Sequence, residues 1–184
     1  METLCQGPHP PLSGGGLLAR DAQSERTLQS AGSHDAFTFT SCHELLTGEL
    51  IWVAHTGGVA DDNGSHIAIL DGQVIQAAPL DGDRTLGRNG DDPDPELFDG
   101  DGGSDVVVMG WSLDDGAGPL WHAVLGGSGD MTVNRVAVQP GRNTAVIGGH
   151  WTGEARFGRG QVGDVMGGAP ATSHGYVIGM HVDP

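Results

Sequence analysis

The sequence predicts an all-β chain of short antiparallel strands, arranged in four-stranded units that recur about every 70 residues. Three observations predict this. Apolar residues stand in short runs or alternate with polar ones, and no stretch carries the apolar stripe of a stable helix. Gly and Pro, 33 and 10 of 184 residues, fall between those runs, where many short strands need turns. Marker groups also return at a nearly constant spacing, the signature of a repeat architecture.

The spacing is read from several groups. SerHisAspAlaPhe at 33–37 is answered by SerAspValVal at 104–107 and by SerHisGlyTyrVal at 173–177. Asp35, Asp105 and Gly175 then stand 70 apart (105 − 35 and 175 − 105). GlyGluLeuIleTrp at 48–52 matches GlyProLeuTrp at 118–121, so Trp52 and Trp121 are 69 apart. A Gly pair follows each Trp, Gly57-Gly58 and Gly126-Gly127, again 69 apart. HisIleAlaIleLeu at 66–70 matches ArgValAlaValGln at 135–139. LeuGly at 86–87 matches PheGly at 157–158, now 71 apart, so the second copy holds two extra residues after its turn.

Within the fuller copy, strands are expected near 105–112, 119–125, 133–139 and 144–151. Val136 and Val138 alternate with Arg135, Ala137 and Gln139, which buries one face. Asp71-Gly72 between two apolar runs predicts a two-residue hairpin, because Gly accepts the positive φ such turns require. Pro140-Gly141 predicts a type II turn for the same reason. The best helical candidate, 20–29, has too few apolar residues to anchor it.

Four-stranded units at fixed spacing are the blades of a β-propeller. About two and a half units are legible, too few to close a ring of four to eight blades. The expected organisation is an ill-defined segment or partial unit over 1–32, a first unit over 33–103 with an acidic loop at 81–104, and a second unit with the start of a third over 104–184. The readings are a fragment of a longer protein, a truncated frame, or an oligomer-forming piece.

The markers Asp35-Ala36-Phe37, Gly118 to Trp121, Gly126 to Asp130, Val136 to Val138 and Gly141 to Gly148 resemble the bacterial SBBP-type propeller repeat. The resemblance covers most of 33–184 and is clearest over 104–158. It departs from the pattern where Gly175 replaces the expected Asp, where Arg142 precedes Asn143, and in the length of 81–104. It implies a secreted or cell-surface scaffold and no catalytic residue.

Charge narrows the partners. The formal net charge is −16, and all eight basic residues are Arg. Such a surface repels phosphate backbones and anionic membranes, so a protein or glycan partner, a neighbouring unit or self-association is expected instead. No apolar run approaches the ~20 residues of a membrane span. The N-terminus lacks the basic start and apolar core of a signal peptide, so export would depend on a signal outside this chain. Cys5 and Cys42 are too few to define a disulfide framework, and two unpaired thiols is the plainer reading.

Chemistry-bearing patterns are few. Nine acidic residues lie between Asp81 and Asp105, and Asp91, Asp92, Asp94, Glu96, Asp99 and Asp101 form the candidate Ca²⁺ ligand set. The order of an EF-hand loop is absent, and a solvated acidic insert is the competing reading. Gly158 to Gly163 spells GxGxxG, but AspValMetGlyGlyAlaPro after it cannot start the helix a dinucleotide site requires. His43-Glu44 begins a zinc-protease motif without its second His, and Gly110 to Asp114 misses a nucleophile elbow at its last position. His34 and His174 occupy matching positions, which points to structure. Asn63-Gly64-Ser65 is a glycosylation sequon of little weight. Trp52 and Trp121 read as packing between units before sugar platforms. The expected function is a non-enzymatic binding or structural scaffold. The alternatives are a fragment of a propeller hydrolase or lyase, and a Ca²⁺-stabilised adhesion element.

Overall fold

A computed structural model describes residues 3–6, 17–20, 25–28, 38–58, 66–81, 84–88, 96–98, 103–114, 119–139, 141–157, 165–167 and 172–183, with side chains over 40–54, 66–80, 103–114, 119–139, 141–157 and 172–183. In chain order the strands are β1 (Thr3–Gln6), β2 (Leu17–Arg20), β3 (Glu25–Leu28), β4 (Thr38–Glu44), β5 (Leu50–Gly58), β6 (His66–Leu70), β7 (Gln73–Asp81) and β8 (Arg84–Arg88). They continue as β9 (Glu96–Phe98), β10 (Ser104–Ser112), β11 (Trp121–Gly126), β12 (Met131–Gln139), β13 (Thr144–Trp151), β14 (Glu154–Phe157), β15 (Val165–Gly167) and β16 (His174–His181). The described residues contain no helix, so the chain is all-β, and every pairing is antiparallel.

The four strands expected between 105 and 151 are present as β10 to β13, within two residues of the expected bounds. They do not share a sheet. The six-stranded sheet runs β15-β14-β11-β10-β7-β6, while β12 and β13 join β16 in a three-stranded sheet. A five-stranded sheet runs β1-β4-β5-β8-β9, and β2 and β3 form a separate hairpin. No sheet closes on itself among the described residues. The chain therefore hands strands back and forth: β4 and β5 lie in one sheet, β6 and β7 in the next, and β8 and β9 return to the first. The same alternation runs through β10 to β15. Two pieces of sequence read as loop also contribute strands. Arg84–Arg88 and Glu96–Phe98 extend the five-stranded sheet inside the expected acidic loop.

The turns follow their sequences. Asp71 and Gly72 both take positive φ, 45° and 80°, which gives the twist a two-residue hairpin needs between Leu70 and Gln73. At the β12–β13 end the Arg142 N–H donates to the Gln139 carbonyl at 3.3 Å, with Gly141 at φ 78°. That geometry fits the expected type II turn.

The three larger sheets stack, with the six-stranded sheet in the middle. Its one face packs Val74, Ala78, Leu80, Val107, Met109 and Trp111 against Cys42, Trp52 and Ala54 of the five-stranded sheet. Its other face packs Ile75, Ala77, Val106, Val108 and Leu125 against Val136, Ala145, Ile147, Trp151 and Tyr176 of the three-stranded sheet. This double coverage explains the unbroken apolar run AspValValValMet in β10, which alternation alone would not predict. Trp52 is buried and stacks on Trp111 across the first interface, ring centroids 6.2 Å apart. Cys42 is disulfide-bonded, against the plainer expectation of free thiols, and Cys5 stands directly opposite it in the β1–β4 ladder. Two adjacent strands bring the pair together, which the spacing of 37 residues (42 − 5) does not reveal.

Candidate functional site

Of the candidate Ca²⁺ ligands, Asp91, Asp92, Asp94, Asp99 and Asp101 lie outside the described residues, and Glu96 is described only through its backbone, opposite Leu86. Among the described residues, no three of His, Cys, Asp and Glu gather as a metal group. The GxGxxG stretch, His34 and the Asn63 sequon also lie outside them.

Asp105 and Asp130 are engaged by the backbone. Asp105 is fully buried, and its carboxylate accepts the Gly127 N–H at 3.1 Å. A Cβ on Gly126 would collide with that carboxylate, and one on Gly127 with the Glu154 carbonyl. Asp130 accepts the Ser104 N–H at 3.2 Å, and its own N–H donates to the Thr152 hydroxyl at 3.2 Å. The Thr152 N–H returns to the Asp130 carbonyl at 2.8 Å. A Cβ on Gly129 would strike the Thr152 carbonyl. GlyGlySerGlyAsp at 126–130 is thus a hydrogen-bonded corner that ties β10, β11 and the β13–β14 turn.

Other buried polar groups are similarly used. The Trp111 indole donates to Gln76 at 3.0 Å, and the Trp52 indole to the Leu113 carbonyl at 3.1 Å. Tyr176 donates to the Thr132 carbonyl at 2.8 Å, and burial pushes its phenol up to about 12. His66 is held below its ordinary value, first by burial and then by the Arg135 guanidinium. Trp151 lies among Phe157, His174 and Tyr176. The Trp151 indole N–H and His174 Nε2 are buried without a hydrogen-bond partner.

One candidate surface is the edge of the three-stranded sheet at β16. β16 pairs with β13 and, among the described residues, with no strand on its other side. β10 holds the matching position in the middle sheet, and there β11 fills that side. Ser112 faces Gln73 across β10–β7, and His181 faces Thr144 across β16–β13. Beyond them the Leu113 N–H donates to the Gly72 carbonyl at 2.9 Å, and the Val182 N–H to the Asn143 carbonyl at 2.8 Å. Counted from these ends, Gly110 corresponds to Gly179 and Asp105 to His174, one residue from the expected match with Gly175. The sequence signal for this register is ValMetGlyTrpSer at 108–112 beside ValIleGlyMetHis at 177–181. It was masked by the SerHis marker, which shifts the alignment by one.

No family model, curated protein or solved structure matches this chain.

Proposed function

We propose that the chain is a non-enzymatic scaffold of the secreted or cell-surface type, built from a recurring unit and binding through sheet edges and loops. The observation that carries this reading is the shared order of two strand sets. β4-β5-β8-β9 and β10-β11-β14-β15 pair in the same sequence, and each set is interrupted by a hairpin, β6–β7 or β12–β13, given to the following sheet. A unit that lends a hairpin forward buries its faces against the next copy, which is how repeat arrays gain stability. This interlacing favours a stack of sheets over blades of four consecutive strands.

Two further observations support the reading. Within 104–158, where the resemblance to SBBP-type repeats is clearest, the carboxylates of Asp105 and Asp130 are committed to backbone N–H groups around the GlyGlySerGlyAsp corner, a structural use. The disulfide at Cys42 favours an oxidising compartment. Partners in this reading are proteins or glycans, or further copies of the unit.

Size exclusion with light scattering, and circular dichroism on the eluted peak, tests the scaffold. A compact β-rich species of defined mass is expected. A broad, expanded profile overturns the reading, because the stacked faces then fail to hold without other chains.

A further inference from the structure

We infer that Trp52 and Trp121 are latches, each fastening its own sheet to the segment that leaves the next sheet in the stack. The inference deepens the scaffold reading and rests on its stacked sheets. Trp52 lies in β5 of the five-stranded sheet, and its indole N–H donates to the Leu113 carbonyl at 3.1 Å. Leu113 is the first residue after β10 of the six-stranded sheet, and its side chain packs back against the cluster that holds Trp52. Trp121 lies in β11, and its indole N–H donates to Gln73 Oε1 at 2.9 Å. Gln73 Nε2 donates in turn to the Asp183 carbonyl at 2.7 Å. Val182 and Asp183 directly follow β16 of the three-stranded sheet, and Val182 is buried in the core shared with the six-stranded sheet. Trp52 and Trp121 are 69 apart, and so are Leu113 and Val182 (182 − 113), so latch and departing segment recur together.

The residue opposite each tryptophan decides the form of its latch. Trp121 faces Gly110, and its ring occupies the space a Cβ there would need, with the N–H directed at Gln73 of the same sheet. Trp52 faces Cys42, which has the Cβ that Gly110 lacks. Its indole therefore takes another position and reaches the next sheet without a relay. Gln73 is buried and supplies the donor and the acceptor that a relay between an indole N–H and a carbonyl requires. Each departing segment is also tied to its own sheet. The Leu113 N–H donates to the Gly72 carbonyl at 2.9 Å, and the Val182 N–H to the Asn143 carbonyl at 2.8 Å. A segment held by its own sheet through an N–H and by the preceding sheet through a carbonyl couples the two layers, because a shift between them breaks one of the bonds.

Amide hydrogen exchange on the full chain tests the latches. Gln73→Leu removes both bonds of the relay and should speed exchange of the Val182 N–H about fivefold or more, with the Val53 N–H in β5 unchanged. Trp121→Phe keeps a ring and removes only the donor, and it should act in the same direction, so it reads this latch even if Gln73→Leu does not fold. Trp52→Phe should speed exchange at the Leu113 N–H and leave Val182 unchanged. In a protein that elutes as a compact species, unchanged Val182 exchange in both Gln73→Leu and Trp121→Phe overturns the latches and leaves the scaffold reading standing. An equal rise at Val53 and Val182 in those variants does the same, since it reports general loosening. An expanded elution profile of the parent overturns both.

Discussion

The buried Asp105 carboxylate accepts the Gly127 N–H at 3.1 Å, and the adjacent Gly126 has no side chain because the carboxylate occupies that space. A carboxylate taken wholly out of water is stable only when it is hydrogen-bonded. Asp105→Ala should remove the acceptor, strand a backbone donor and lower stability by about 1–3 kcal/mol. Gly126→Ala should be comparably damaging, by overpacking, whereas Gly179→Ala should be close to neutral. Chemical denaturation of the three variants checks the order.

The Trp111–Gln76 hydrogen bond lies within the six-stranded sheet, on the face that packs against Trp52. Gln76→Leu keeps volume but leaves the indole N–H buried without its acceptor, at a cost of about 1–3 kcal/mol. Trp111→Phe together with Gln76→Leu should recover part of that loss, because both polar partners are then gone. A double-mutant cycle in thermal or urea unfolding measures the coupling.

Tyr176 is the only tyrosine of the chain, so ultraviolet titration of phenolate reports one group. Burial raises it from 10.0 to about 12 in the folded protein. The folded value exceeds the unfolded one, so its stabilising contribution is complete below pH 10 and falls as pH rises from about 10 toward about 12. Tyr176→Phe should flatten that alkaline decline. A phenolate midpoint near 10 in the folded protein would contradict the burial of this side chain.

His66 titrates in the opposite sense for stability. Burial and Arg135 lower it, so the unfolded chain takes up a proton first and stability is lost as pH falls below about 6.5. Arg135→Gln should move the His66 midpoint upward, by less than the burial effect, in an NMR titration.

Cys42 is disulfide-bonded. The unreduced protein should therefore present no reactive thiol, even in denaturant. Reduction, or Cys42→Ser, should lower stability by about 2–5 kcal/mol, read as a lower melting temperature.

Much of the strand map was legible in the sequence. β10 to β13 lie where alternation and turn residues put them, and Asp71-Gly72 makes its hairpin because local φ preferences suffice for a two-residue turn. β8 and β9 were not legible, since short strands in an acidic stretch have no apolar pattern of their own; β8 is held by pairing with β5, and β9, at the edge, by pairing with β8. The matched glycines 110 and 179 were visible as a spacing of 69 (179 − 110), but a spacing does not say that one is covered by an indole and the other is open.

The sequence by itself determined that the chain is all-β, that its apolar faces come in short alternating or doubly buried strands, and where its tight turns fall. These follow from interactions between near neighbours. The tertiary structure decided which strands share a sheet. β10 has β7 on one side and β11 on the other, while β12 and β13 leave for the next layer. Pairing of that kind depends on which distant strands arrive with matching register and buried faces, and local pattern carries no record of it.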